Sequence, residues 1–343
     1  MDPSLDAGSG DILIPYGDIG QFSGRIPALV DLKDIHEKPG PYAMSYGFDL
    51  GPLIRSIRSY GMINTPFVRK NKEGGFHVVI GYRRIMAMKK LTQDRISCVD
   101  LSGSGLSDLE MLLFNLHDNL SFRSFNLVEK GMIIHRLCHY HTKEEIRKQY
   151  SGLLNITNKK HLEILAKVET LPDFVKKAVA CGAISLNALG QILEMDKRSS
   201  DSIVKAILKL NLNMNQQIQL IEYMIDLSLK EGKPIHQILS EDWSIVLLEA
   251  GEPNIPQRAK KMFEFLKSRR FPWLTLCENN FNKRIAGLKL PAGVRVTHPP
   301  FFESSGYRLD IPFQNGHDLK KKIHDIEHNT DIENIGDPWD QNQ

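Results

Sequence analysis

Cysteine is scarce in this chain: Cys98, Cys138, Cys181 and Cys277 are scattered through 343 residues with no paired ligand spacing. That excludes a disulfide framework and a zinc knuckle, and the four read as reduced, mostly buried thiols. A dominant charge of one sign is also missing. Lys and Arg total 44 against 41 Asp and Glu, a formal net charge of +3, which permits a nucleic-acid partner without demanding one and leaves the distribution of charge to decide. No apolar run reaches membrane-spanning length, and Met1-Asp2-Pro3-Ser4-Leu5-Asp6 is acidic and lacks the basic start and apolar core of a signal peptide. The expectation is a cytoplasmic protein with no membrane partner. Catalytic signatures are lacking as well: there is no Ser-His-Asp order, no Cys-His pair and no zincin motif. His135 and His139 fall at i and i+4, but no carboxylate completes a ligand set there, Arg136 adds competing charge, and a helix surface with chance histidines is the better account.

What is present is organised around Phe76 to Lys90, where the β-branched run Val78-Val79-Ile80 ends at Gly81 and turns at once into a basic segment of helical period. A strand, a glycine turn and a helix carrying Arg83 and Arg84 in its first turn form an anion site, because free N–H groups and the positive helix end add to the guanidinium charges. Phosphate is the expected guest. Upstream, the stripe Leu53-Ile54, Ile57, Tyr60 stops at Gly61 as a helix does at its C-cap, and Met62 to Arg69 reads as a strand before the Lys72-Glu73-Gly74-Gly75 turn. Downstream come a strand at Ile96 to Asp100, an acidic-led helix from Ser107, and the cluster Leu116-His117-Asp118-Asn119-Leu120. Asp118 and Asn119 can return a carboxylate and an amide to the arginine pair, as a nucleotide with a divalent ion requires.

The order Ser56-Ile57-x-x-Tyr60-Gly61-x-x-x-x-Pro66-x-Val68-Arg69, then Gly81-Tyr82-Arg83-Arg84-x-x-Ala87, then Asp118-Asn119 and Asn126-x-x-Glu129, resembles the N-terminal domain of the ParB-like partition proteins over about residues 25 to 240. The resemblance implies a small mixed domain like that of ParB and sulfiredoxin. It implies that Gly81, Arg83, Arg84 and Ala87 belong to a phosphate-binding loop and helix, that Gly61, Pro66 and Arg69 shape the neighbouring turn, and that Asp118 and Asn119 hold a magnesium ion, Asn119 also facing the nucleotide. CTP, or another nucleoside triphosphate, is the implied cofactor, and activity is at most that of a weak CTPase. Two positions depart from the family: Tyr82 stands where Glu is usual and Phe122 where Arg is usual, with Arg123 one place later. The alternative is a ParB-like nuclease or other phosphoryl-transfer enzyme on the same fold. Sulfiredoxin chemistry is excluded, since its catalytic Cys would stand where this chain has Tyr82.

From Ser107 to Ala250 the pattern is almost wholly helical. Thr142-Lys143-Glu144-Glu145 reads as a capping box, and two short helices separated by Tyr150 to Ile156 fit a degenerate helix-turn-helix, with Asn158, Lys159, Lys160 and His161 at the start of the second, where a recognition helix meets DNA. After the turn-rich Ala250 to Pro256, the segment from Gln257 to Arg270 is a basic amphipathic helix with Arg258, Lys260, Lys261, Lys267, Arg269 and Arg270 against Glu264 alone, a second surface for a DNA backbone. The end of the chain reads as a small α+β unit: strands at Leu274 to Cys277, Val294 to Val296 and Tyr307 to Phe313, and helices at Glu278 to Leu288 and His317 to His328.

The fold class is therefore α+β. Its parts are a lead-in at 1–24 with a short strand at Asp11 to Pro15, the nucleotide-binding domain at 25–120, the helical DNA-binding domain at 121–250, the α+β unit at 251–328 and a disordered tail at 329–343. DNA is the expected partner, and the family adds a partition ATPase and a second copy of the chain. The whole reads as a nucleoid-associated partition or regulatory factor with a nucleotide switch.

Overall fold

The structure, a computed structural model, describes residues 26–249, 254–303, 306–328, 332–333 and 335. The lead-in with its strand at Asp11 to Pro15 lies outside them, as does nearly all of the 329–343 tail. The chain forms two compact units that divide between Ile218 and Gln219. The finer partition at 120 and 250 read from the sequence stands as a proposal.

The first unit begins with β1 (Ala28–Asp31), α1 (Gly51–Tyr60), β2 (Phe67–Lys70), β3 (Phe76–Ile80), α2 (Tyr82–Lys90), β4 (Arg95–Asp100) and α3 (Asp108–Leu120). The four strands form one sheet in the order β1-β4-β2-β3, with β1 antiparallel to β4, β4 parallel to β2, and β2 antiparallel to β3. Both faces are covered, and successive side chains of a strand point to opposite faces. Val78 accordingly joins Val68, Ile85, Ile96 and Cys98 in one cluster, while Val79 joins Val99, Leu101 and Met111 in another. The period change at Gly81 is realised as expected, with the strand ending at Ile80 and α2 starting at Tyr82.

Helices follow: α4 (Leu127–Leu137), α5 (Lys143–Leu154), α6 (Lys159–Ala166), α7 (Asp173–Ala180), α8 (Leu186–Ile192) and α9 (Lys197–Leu210). Capping boxes start three consecutive helices of the unit: Ser107 with Glu110 at α3, Asn126 with Glu129 at α4, and the expected Thr142 with Glu145 at α5. Between α5 and α6, Asn155 takes a left-handed conformation at φ 50°, the sharp turn that separates the two short helices. Gly131 lets α4 lie close to the chain around Val168, because a Cβ there would sit 2.8 Å from Val168 Cβ and 2.9 Å from the Leu165 carbonyl.

The division between the units falls inside α10 (Met214–Glu231). The second unit continues with α11 (Ile235–Ile238), α12 (Asp242–Glu249), α13 (Ile255–Arg270), α14 (Pro272–Gly287), β5 (Arg295–Thr297), β6 (Arg308–Asp310) and α15 (Gly316–Glu327). β5 and β6 pair antiparallel, as the sequence suggests. The strand expected at Leu274 to Cys277 is instead the first half of α14. Pro272 opens that helix, and Cys277, Phe281 and Ile285, four residues apart, form one face that packs with Phe302, Val296 and Tyr307; a window of four residues was too short to show that spacing.

Candidate functional site

Gly81 caps α2 in the left-handed region, at φ 89° and ψ 25°. A side chain is disfavoured there on two counts. L residues rarely take that conformation, and a Cβ would lie 3.1 Å from Pro66 Cβ and 3.3 Å from Arg84 Nη1. Pro66 thus shapes the turn by contact. Arg83 and Arg84 follow in the first turn of α2, where the unpaired N–H groups and the helix dipole favour an anion.

The two arginines go different ways. Arg84 donates from Nη1 to the Asn64 carbonyl at 2.9 Å. Burial pushes its pKa down and the charge of Asp118 pulls it back up, while burial raises the Asp118 pKa against the opposing pull of Arg84. The two therefore feel each other across the site. Arg83 donates to Glu129 Oε1 at 3.0 Å and lies over the Phe48 ring at 4.9 Å. Its Nε is buried with no hydrogen-bond partner, a donor for which a phosphate oxygen is a fitting acceptor.

Glu129 is the centre of this arrangement, and its side chain is 1% exposed. Besides Arg83 it accepts from Arg123 Nη1 at 2.6 Å and from the backbone N–H groups of Tyr46 at 3.2 Å and Asn126 at 3.1 Å. Arg123 spans further: Nε donates to Asn119 Oδ1 at 2.9 Å and Nη2 to the Met44 carbonyl at 2.8 Å. One buried carboxylate between two guanidinium groups so ties α2, the end of α3, the start of α4 and the segment 44–46 together. Phe122, at the position where the family usually has Arg, is exposed, and Arg123 turns inward instead.

Among the other residues singled out in the sequence, Asn119 follows Asp118 in α3 and donates to the Asn115 carbonyl at 2.9 Å, and Asn115 donates in turn to the Val79 carbonyl. Ala87 is fully buried and packs in the core, and Gly61 ends α1 at φ 75°. Arg69 is placed elsewhere. It donates to Tyr42 Oη and to Asp108, at the opposite end of α3 from Asp118. Ten residues of helix amount to about 15 Å, so Arg69 braces the start of α3 and stands apart from the arginine pair. Sequence reasoning missed the roles of Glu129 and Arg123; the Asn126-x-x-Glu129 spacing of a capping box was the available signal.

The proposed DNA surfaces fare unequally. At α6, Asn158 caps the helix through the His161 N–H, and His161 Nδ1 lies 2.8 Å from the Thr157 hydroxyl, while Lys159, 3.9 Å from Glu163, and Lys160 stand out to solvent. On α13 most cations are already engaged. Lys267 pairs with Glu278 at 2.7 Å, Arg269 with Glu231 at 2.6 Å and Glu241 at 2.5 Å, Arg270 with Asp226, and Arg258 donates to the Leu248 carbonyl. Lys260 and Lys261 are exposed, with Lys260 3.8 Å from Glu264. The basic stripe of the sequence is thus largely internal glue, since most of its carboxylate partners lie outside α13, out of reach of a linear reading.

No protein-family model matches the chain. It is similar to the nucleoid occlusion protein of Geobacillus thermodenitrificans, 27% identical over 202 residues, which are 58% of this chain and 69% of that protein. It is also similar to the probable chromosome-partitioning protein ParB of Vibrio cholerae, 23% identical over 201 residues, 57% of this chain and 65% of that protein. Among solved structures, the C-terminally truncated ParB of Caulobacter crescentus matches in a complex with the centromeric parS site, at 16% identity, 57% of this chain, 98% of that chain and a TM-score of 0.31. The same protein with CTP-gamma-S matches at 20% identity over 53% of this chain and 98% of that chain, with a TM-score of 0.25. The resemblance to ParB-like proteins is borne out by the sequence relatives. Among the described residues no helix is long and apolar enough to cross a membrane.

Proposed function

We propose that the chain is a ParB-like, DNA-associated partition or nucleoid-occlusion factor whose sheet domain binds a nucleoside triphosphate, CTP foremost, as a switch. The observation that carries this is the turn at Gly81, which sets Arg83 and Arg84 on the positive end of α2 and leaves Arg83 Nε buried without an acceptor. Triphosphate oxygens meet those guanidinium groups and the free N–H groups of the helix start. Asp118 is the group to hold a magnesium ion beside them. Asn119 Oδ1 accepts from Arg123 and keeps a lone pair, so it fits as a second oxygen ligand. The ion would neutralise phosphate charge that Arg84 alone does not cover.

The switch lies in Glu129. It holds Arg83 and Arg123 now, and a phosphate competing for Arg83 shifts the balance of a network that reaches Met44, Tyr46 and α4. Duplex DNA meets the start of α6 through Lys159 and Lys160. A nuclease on this fold is less well supported. Of the carboxylates it could draw on, Asp100 is held by Ser102, Glu110 by its own helix cap, and Glu129 between Arg83 and Arg123, which leaves Asp118 without convergent partners for metal-assisted cleavage. A partition ATPase, and a second copy of the chain, are the partners to test once nucleotide binding is established.

Calorimetric titration of the whole chain with CTP, ATP and GTP, with and without magnesium, tests the reading. A charged Arg–phosphate hydrogen bond contributes about 1.5–3 kcal/mol. Arg84→Ala should therefore weaken binding roughly ten- to a hundredfold, and Asp118→Asn should remove the magnesium-dependent part. Superimposable titrations of wild type and Arg84→Ala would overturn the assignment.

A further inference from the structure

Nothing in the nucleotide or DNA reading uses the end of α15, where His324, Glu327 and His328 stand at i, i+3 and i+4. Those positions share one face of a helix. Their ligand atoms all lie within 4.8 Å of one another, and all three residues are exposed. The two imidazole rings are 4.0 Å apart between centroids. His328 Nδ1 lies 2.8 Å from the His324 carbonyl oxygen. A carbonyl only accepts, so Nδ1 carries the proton and Nε2 keeps its lone pair. Metal-binding histidines are commonly fixed in this way, one ring nitrogen on a backbone carbonyl and the other facing the ion.

The first turns of the helix are tied down by polar contacts. Asn315 caps its start through the Asp318 N–H at 2.9 Å, and Lys322 donates to the Pro312 carbonyl at 2.6 Å while pairing with Asp318 at 3.4 Å. Among the described residues, no other cluster brings together three such groups. His135 and His139 repeat the i, i+4 spacing with rings 5.4 Å apart, and His139 Nδ1 lies 3.0 Å from the His135 carbonyl, but they lack a third donor.

We propose that His324, Glu327 and His328 form a binding site for a borderline-soft divalent cation of the Zn2+ class. Two imidazole nitrogens and a carboxylate oxygen suit Zn2+, whereas Mg2+ and Ca2+ take mainly oxygen ligands. Three protein donors leave the fourth tetrahedral position to water or to an outside group. The site rests on neither the nucleotide nor the DNA reading.

The test is calorimetric titration of the whole, tag-free chain with Zn2+ alone, with Co2+ absorption as a second readout of geometry. One site per chain is expected, with the intense visible band of tetrahedral Co2+. Loss of a supporting partner alone costs about ten- to a hundredfold in metal affinity, so His324→Ala, His328→Ala and Glu327→Ala should each weaken binding at least tenfold. The three side chains are exposed, and unchanged far-UV circular dichroism will verify folding. A His135→Ala/His139→Ala double variant should titrate like wild type. No binding, unchanged affinity in any of the three single variants, or loss in the double variant would overturn the assignment.

Discussion

Glu129 and Arg123 meet at 2.6 Å, six residues apart in sequence, with the carboxylate almost wholly buried and Arg83 on its other oxygen. A carboxylate taken out of water is costly unless paired and hydrogen-bonded on both oxygens, and here both are used. The network is therefore both a structural joint and the place where a ligand at Arg83 is felt.

Removing that joint should be costly. Breaking a buried ion pair by deleting one partner destabilises by about 3–5 kcal/mol. Because the side chain of Arg83 is 33% exposed and that of Arg123 19% exposed, water relieves part of the penalty, and Glu129→Ala should lose about 3 kcal/mol, the lower end of that range. Urea unfolding measures it. A loss below about 1 kcal/mol, the scale of a surface pair, would show that the network is not held as described.

The glycine turn offers a separate check. Gly81→Val must adopt φ near 89° and press on Pro66, so it should lose about 1–3 kcal/mol through backbone strain alone. Gly81→Asn should lose less, since Asn tolerates the left-handed region. Equal stability of the Val variant, Asn variant and wild type in urea would mean that the turn relaxes freely.

Gly81, the arginine pair and the capping box at Thr142 were legible because each depends on residues within one turn or one hairpin. Glu129 was legible only as a spacing. Its partners Arg83 and Tyr46 lie 46 and 83 residues away, and the folded sheet domain alone brings them to it. The same distance hid the fate of α13: Arg269 looks like free charge in sequence, and its two carboxylates lie 38 and 28 residues off. α14 was misread for a local reason, since Leu274 to Cys277 fits a strand in isolation and shows its helical face only once Phe281 and Ile285 are counted.

That difference between free and engaged cations can be measured on DNA. If α6 contacts phosphates, Lys160→Ala should lower affinity across all sequences and reduce the slope of log affinity against log salt by about 1. Arg269→Ala should leave the slope alone and lower stability instead, because its guanidinium is spent on Glu231 and Glu241. Fluorescence polarisation over a salt series separates the two. A lower slope for Arg269→Ala with unchanged stability would reverse the assignment of surfaces.

Acid should weaken the second unit at this pair. The Arg269 guanidinium, with smaller help from Trp243 and Lys233, holds the Glu241 carboxyl down at about 2, against an ordinary value of 4.5. A pKa depressed on folding means that the unfolded chain takes up the proton more readily. The stabilisation is then fully present above about pH 4.5 and is lost as pH falls towards about 2. Glu241 is 29% exposed at its side chain, so solvent screens the pair and the loss should be modest. Thermal unfolding followed by the fluorescence of Trp243 and Trp273 should show Tm falling across that window in the wild type. Arg269→Met, which removes the largest cause of the Glu241 shift, should start less stable at neutral pH and show a shallower decline. An identical acid limb in the two proteins would mean that other carboxylates set it.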